Sequence, residues 1–133
     1  MRSPAHDIAV FLAGGGFGAI GQELHISREP VSPDFVTTLY DTGGNDPVLV
    51  TENLRQPTLQ IRVRGFDYAA CYERQEDIFL ALSVDVTDFE TTDYRYVGCW
   101  LTSDIISIGR DDNDRHLLTA NYRLERHAKE KSA

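Results

Sequence analysis

Lysine is almost missing from this chain. Of its 13 basic residues two are lysines, both in the last five positions, and eleven are arginines. Base is outweighed altogether, since 21 acidic residues leave a net charge of −8. A chain this acidic lacks the basic field that broad binding to nucleic acid or an anionic membrane needs. Cysteine is nearly absent too. Cys71 and Cys99 alone do not make a disulfide framework, and they read as buried thiols of a protein made in a reducing compartment. No apolar run approaches the roughly 20 residues of a membrane span. The short apolar stretch from Ile8 to Ala13 follows His6 and Asp7 rather than a basic start. A signal peptide is therefore not expected, and the protein is expected to be made and kept in the cytoplasm.

Catalytic and metal-binding patterns are scarce as well. His6, His25, His116 and His127 are scattered and show no H-E-x-x-H spacing, and two distant cysteines give no zinc pattern. There is no G-x-S-x-G nucleophile turn. Gly16 to Gly21 spells G-x-G-x-x-G, a motif that cradles a pyrophosphate when it follows a strand and opens a helix. Here a helix precedes it and a strand follows, so it reads as a helix stop and connector. Asp111-Asp112-Asn113-Asp114 has the carboxylates of a calcium loop, but counting from Asp112 puts Leu117 where that loop needs glycine. A solvated hairpin turn is the expectation. Neither enzyme activity nor a cofactor or metal is expected.

What is present is the patterning of one domain. A chain of 133 residues fits a single unit, placed at 1–126, with a long loop at 42–57 and a polar tail at 127–133. Ser3 caps a first helix with Pro4 at its first position, and Ile8, Phe11 and Leu12 form its apolar face. Leu24–Ile26 and Phe35–Asp41 read as strands, with Pro- and Asp-rich turn chemistry between them suggesting a hairpin. Thr58–Arg64 alternates: Leu59, Ile61 and Val63 face one way, Arg62 and Arg64 the other. Asp67 caps a second helix to Leu82, whose stripe holds Tyr68, Cys71, Ile78, Phe79 and Leu82, with Gln75 inside it. Leu80 lies opposite that stripe, exposed or in a contact. Tyr94–Thr102 reads as a strand with Tyr94, Tyr96 and Trp100 on one face. Ile105–Ile108 continues it across a bend, and His116–Glu125 is the last strand. The order predicts an α+β fold, a mostly antiparallel sheet with two helices packed against it. The loop at 42–57 exceeds the roughly 12–15 residues of ordinary connections. Its apolar centre, Val48-Leu49-Val50, is either a partner surface or a short extra strand.

Four stretches, IAVFLAGGGFG (8–18), ISREPVSPDFVTTLYDTGG (26–44), PTLQIRVRGFDYAACY (57–72) and GRDDNDRHLLTANYRLER (109–126), together resemble the minor capsid, or tail terminator, proteins of tailed bacteriophages. The resemblance spans almost the whole chain and rests on the order and spacing of the four. It implies a structural virion protein assembled in the host cytoplasm, with an α/β sandwich fold. It also implies a ring, hexameric in that family, at the head-proximal end of the tail tube. Its partners would be further copies of itself, the tail tube protein and the head connector or completion protein, with DNA passing through the lumen without specific binding. Another neck or tube ring protein is the alternative, and a small ligand-binding domain or enzyme a remote one. Under this reading the interface candidates are Arg62, Arg64, Val48, Leu49, Val50, Leu80, Asp111, Asp112 and Asp114. The arginine bias has two readings, GC-rich coding and polar subunit contacts; the second puts Arg62 and Arg64 against carboxylates of a neighbour.

Overall fold

A computed structural model of the chain describes residues 3–44, 54–85 and 89–129. Among these, the elements run α1 (Pro4–Gly14), β1 (Leu24–Ile26), β2 (Val36–Gly44), β3 (Leu54–Arg55), β4 (Pro57–Gly65), α2 (Tyr68–Asp85), β5 (Phe89–Glu90), β6 (Tyr94–Leu101), β7 (Ile106–Arg110) and β8 (His116–Ala128). The strands form one sheet in the order β1-β2-β4-β8-β6-β5, with β3 and β7 also paired to β8. All pairings are antiparallel except β1 with β2. This is the expected α+β fold.

Both helices form where capping and periodicity place them. The Ser3 hydroxyl accepts from the His6 amide at 3.2 Å. The Asp67 carboxylate accepts from the Ala69 amide at 3.0 Å, satisfying an orphan donor of α2. Alternation along β4 and β8 then decides where the helices sit. Leu59, Ile61 and Val63 on β4, and Leu118, Ala120, Tyr122 and Leu124 on β8, are fully buried on one face. Ile8 and Leu12 of α1, with Cys71, Ile78 and Leu82 of α2, complete that core. Two polar groups fix the helices over it. Gln75 Nε2 donates to the carbonyls of Ile61 and Leu118, each at 2.9 Å, tying α2 to β4 and β8. Asp7 of α1 is buried and accepts from the Tyr96 hydroxyl at 2.7 Å. Arg126 lies 4.0 Å from the same carboxylate oxygen, donates to that hydroxyl at 3.3 Å and stacks over the Tyr94 ring.

Several expectations change. β1 and β2 are parallel (Leu24 beside Thr37), so the connection at 27–35 is not a hairpin turn but a segment that doubles back over the sheet. β2 extends through Gly44 and Leu54–Arg55 pairs with β8, so both ends of the expected loop at 42–57 are strand. Gly44 faces Pro57 at φ +125°, and a Cβ there would collide with the Gln56 carbonyl and Pro57. The expected tail is likewise strand at its start, where His127 and Ala128 pair with Leu54 and Tyr94. Ile105–Ile108 does not prolong β6; Ile106 starts β7, a separate strand on β8. A bulge between Tyr96 and Gly98 reverses the alternation of β6. Tyr94, Tyr96 and Cys99 are buried while Trp100 turns outward, so Trp100 does not share a face with the two tyrosines. No helix among the described residues is long and apolar enough to cross a membrane.

The network at Asp7 generates a test. Asp7→Ala leaves the Arg126 guanidinium and the Tyr96 hydroxyl buried without their carboxylate, and is expected to cost about 3–5 kcal/mol. Urea unfolding of the two proteins checks this; a loss under about 1 kcal/mol would show that the network does not hold α1.

Candidate interaction surfaces

The helices cover one face of the sheet and leave much of the other open. Arg62 and Gln60 of β4 stand on the open face beside Thr119 and Asn121 of β8. Trp100 stands beside Arg123, and Ile106 beside Thr119. Gln60 donates to Asn121 at 3.3 Å, so this pair is satisfied locally. The Arg123 guanidinium lies 5.1 Å from the centre of the Trp100 ring, a cation–π pair at the surface. The ring itself occupies the space a Cβ on Gly98 would fill. Arg62 stacks over Tyr40 at 5.5 Å and lies 3.9 Å from Glu29. Trp100 is 43% exposed and Ile106 46%, and Ile108 is exposed as well. Trp100 and Ile106 share the open face beside Arg123 and Thr119, four residues apart on β8, so the exposed apolar groups are spread along β8.

Arg64 has the same strand parity as Arg62 but another fate. It is 2% exposed. Its guanidinium donates to the Pro30, Val31, Pro33 and Asp34 carbonyls and lies 3.5 Å from Glu29. Arg115, also buried, donates to the Val31 carbonyl at 2.7 Å and pairs with Asp34 at 3.3 Å and Asp111 at 2.8 Å. Together they clamp the 30–34 segment across the end of the sheet. Arg64 is thus an intrachain staple and not an exposed partner contact. Val31, whose carbonyl both arginines hold, projects its side chain into solvent at 81% exposure.

The other candidates separate by position. Asp111 anchors a hairpin turn: Oδ1 accepts from the amides of Asn113 and Arg115 at 3.0 and 2.9 Å. Partial burial works against its charge, but these amides and the Arg115 guanidinium outweigh it and hold the carboxyl below its ordinary range. Asp112 and Asp114 are exposed, and Asp114 pairs with Arg110 at 3.0 Å. Leu80 is 56% exposed on the solvent side of α2, among Glu73, Glu76 and Asp77. Val48, Leu49 and Val50 lie outside the described residues.

Sequence reading missed the exposed Trp100, because only the bulge turns it outward. It also missed the convergence of two arginines on one loop, Arg64 from β4 and Arg115 from the turn before β8. Burial pushes the thiols up, to about 11 for Cys71 and about 12 for Cys99, so both stay protonated and unreactive near neutrality. Among the described residues no group of three or more His, Cys, Asp or Glu is placed to hold a metal ion. The glycine motif follows α1 and leads into β1, and the Glu23 carboxylate accepts from the Ala19 amide at 2.9 Å within it. A groove beside α1 is lined by Val10, Phe11, Phe17, Ala81 and Phe89, which offer no acid, base or nucleophile.

A family model described as bacteriophage tail terminator protein matches residues 11–127. The match covers most of the chain, which therefore belongs to the bacteriophage tail terminator family and is a component of the virion tail. No curated protein matches it.

The two arginines of β4 make a paired test. Arg64→Ala is expected to cost about 3 kcal/mol, because it removes a buried guanidinium and leaves the Pro30, Pro33 and Asp34 carbonyls without its N–H donors. It should also speed hydrogen exchange at Ser27 and Thr37, whose amides bond across the connection. Arg62→Ala should change stability by under about 1 kcal/mol. Equal effects in chemical unfolding and exchange would contradict the assignment of Arg64 as a staple.

Proposed function

We propose that this tail terminator acts as a ring, of six copies, seated on the head-proximal end of the tail tube. The ring stops addition of tube subunits once the tail has reached its length. Its far side meets the head connector or completion protein, and DNA leaves the head through its lumen. The observation that carries this reading is the open sheet face, with Trp100, Ile106, Arg62 and Arg123, in a member of the family.

A ring needs heterologous contact, one patch meeting a different patch on the next copy. A domain with helices on one side and a bare, partly apolar sheet face on the other has two unlike surfaces to offer. Arg62, exposed in part and partnered only loosely, suits a carboxylate of a neighbour. Arg64 is not proposed for that role. Leu80 belongs to the second surface, and Val48–Val50 and the charged turn at Asp112 and Asp114 are candidates for contact with tube or connector. A chain of net charge −8 makes an acidic ring, and acid along the lumen repels the DNA backbone and keeps it from adhering. The function is structural; no catalytic step is assigned.

Deleting the coding sequence tests the role directly. The infection should yield filled heads and unattached, overlong tails when viewed by electron microscopy. Tails of normal length left unattached would assign the protein to head completion and overturn the terminator reading.

A further inference from the structure

The two unlike surfaces of the domain are complementary to each other. On α2 the solvent side runs through Ala69, Glu73, Glu76 and Leu80, spaced at three, four and seven residues, with Asp77 alongside. Leu80 is the apolar centre of this acidic stripe. Arg74, a base on the same helix, is committed elsewhere: its guanidinium lies 5.4 Å from both the Phe17 and Phe35 rings. On the open sheet face Trp100 stands beside Arg123 and Ile106 beside Thr119, with Arg62 on the other side of Thr119, so apolar and basic groups alternate along β8. Glu125 shares that face further along β8. These surfaces lie on opposite sides of the domain, because α2 packs on the buried side of β4 and β8.

We propose that, within the ring, the acidic outer stripe of α2 centred on Leu80 docks on the open sheet face of the next copy, its carboxylates meeting Arg62 and Arg123 and Leu80 packing beside Trp100 and Ile106. This rests on the ring reading above. Charge decides the pairing. Sheet face against sheet face sets arginine against arginine, and helix against helix sets carboxylate against carboxylate; only front to back are the signs opposed. In a chain with a net charge of −8, copies repel in general, so a local match of opposite sign also sets orientation. Arg123, already stacked on Trp100, is held ready for a carboxylate. Each copy has one surface of each kind, so contacts propagate in one direction until the rotation closes.

Charge reversal tests this in an infection that lacks the native gene. One variant carries Arg62→Glu and Arg123→Glu, the other Glu73→Arg and Asp77→Arg. Each alone is expected to give overlong tails, whereas the native gene restores the normal length. Supplied together, they are expected to restore it, since an alternating ring pairs reversed sheet with reversed helix and native sheet with native helix. If each variant restores tail length alone, the docking surfaces are wrong while the ring reading stands. If both fail alone and together, the docking surfaces are wrong as well, provided each variant melts like the native protein. A second measurement removes that proviso. Leu80→Cys with Ile106→Cys, both at exposed positions, is expected to give a ladder of cross-linked multimers from purified tails treated with a short bismaleimide. Monomer alone would overturn the docking. Native tails in which this protein occurs as single copies would overturn the ring itself.

Discussion

Everything in this domain depends on a mismatch between one broad sheet and two helices held to the same side of it. A strand buried on both faces needs cover on both, and here the alternation of β4 and β8 sends all their aliphatic side chains but Leu117 to one side. Gln75 and the Asp7–Tyr96–Arg126 network then leave the helices no freedom to choose the other side. Buried polar groups of this kind are costly unless partnered, which makes them specific. The open face is the consequence: a surface with a tryptophan and an isoleucine beside two arginines, in a chain otherwise rich in acid.

The scarcity of lysine takes on a structural meaning at three arginines. Arg64 and Arg115 each reach several acceptors with one planar fork, and between them they fasten the segment that crosses the end of the sheet. Arg126 combines a carboxylate, a hydroxyl and an aromatic face. An ammonium group is a compact point charge and has no geometry for such simultaneous contacts. Arg62 and Arg123 remain at the surface, where their partners among the described residues are a ring each and one distant carboxylate. The bias toward arginine thus divides between internal staples and surface contacts.

Much of the fold was legible because periodicity is local. The period of two along Thr58–Arg64 appears as read, and so does Leu80 on the outer side of its helix; the helical stripe holds from Cys71 to Leu82, but Tyr68, expected in it, is exposed at the start of the helix. What was not legible depends on residues far apart in the chain. Arg62 and Arg64 are indistinguishable by parity; only the return of the 30–34 segment buries one of them. The parallel pairing of β1 with β2 follows from that same return. A bulge between Tyr96 and Gly98 breaks the period of β6 with no sequence signature beyond the glycine, and it moves Trp100 from the core to the surface. The resemblance to tail terminators, carried by four stretches along the chain, agrees with the family to which the chain belongs.

The family gives the tail as the place of action. The most direct measurement is an electron cryomicroscopy reconstruction of the head-proximal end of the tail in intact virions. The account predicts one ring of this protein between tube and connector, with Trp100, Ile106, Arg62 and Arg123 of each copy covered by its neighbour. A terminator position occupied by another protein, or a ring in which those four side chains face solvent, would contradict it.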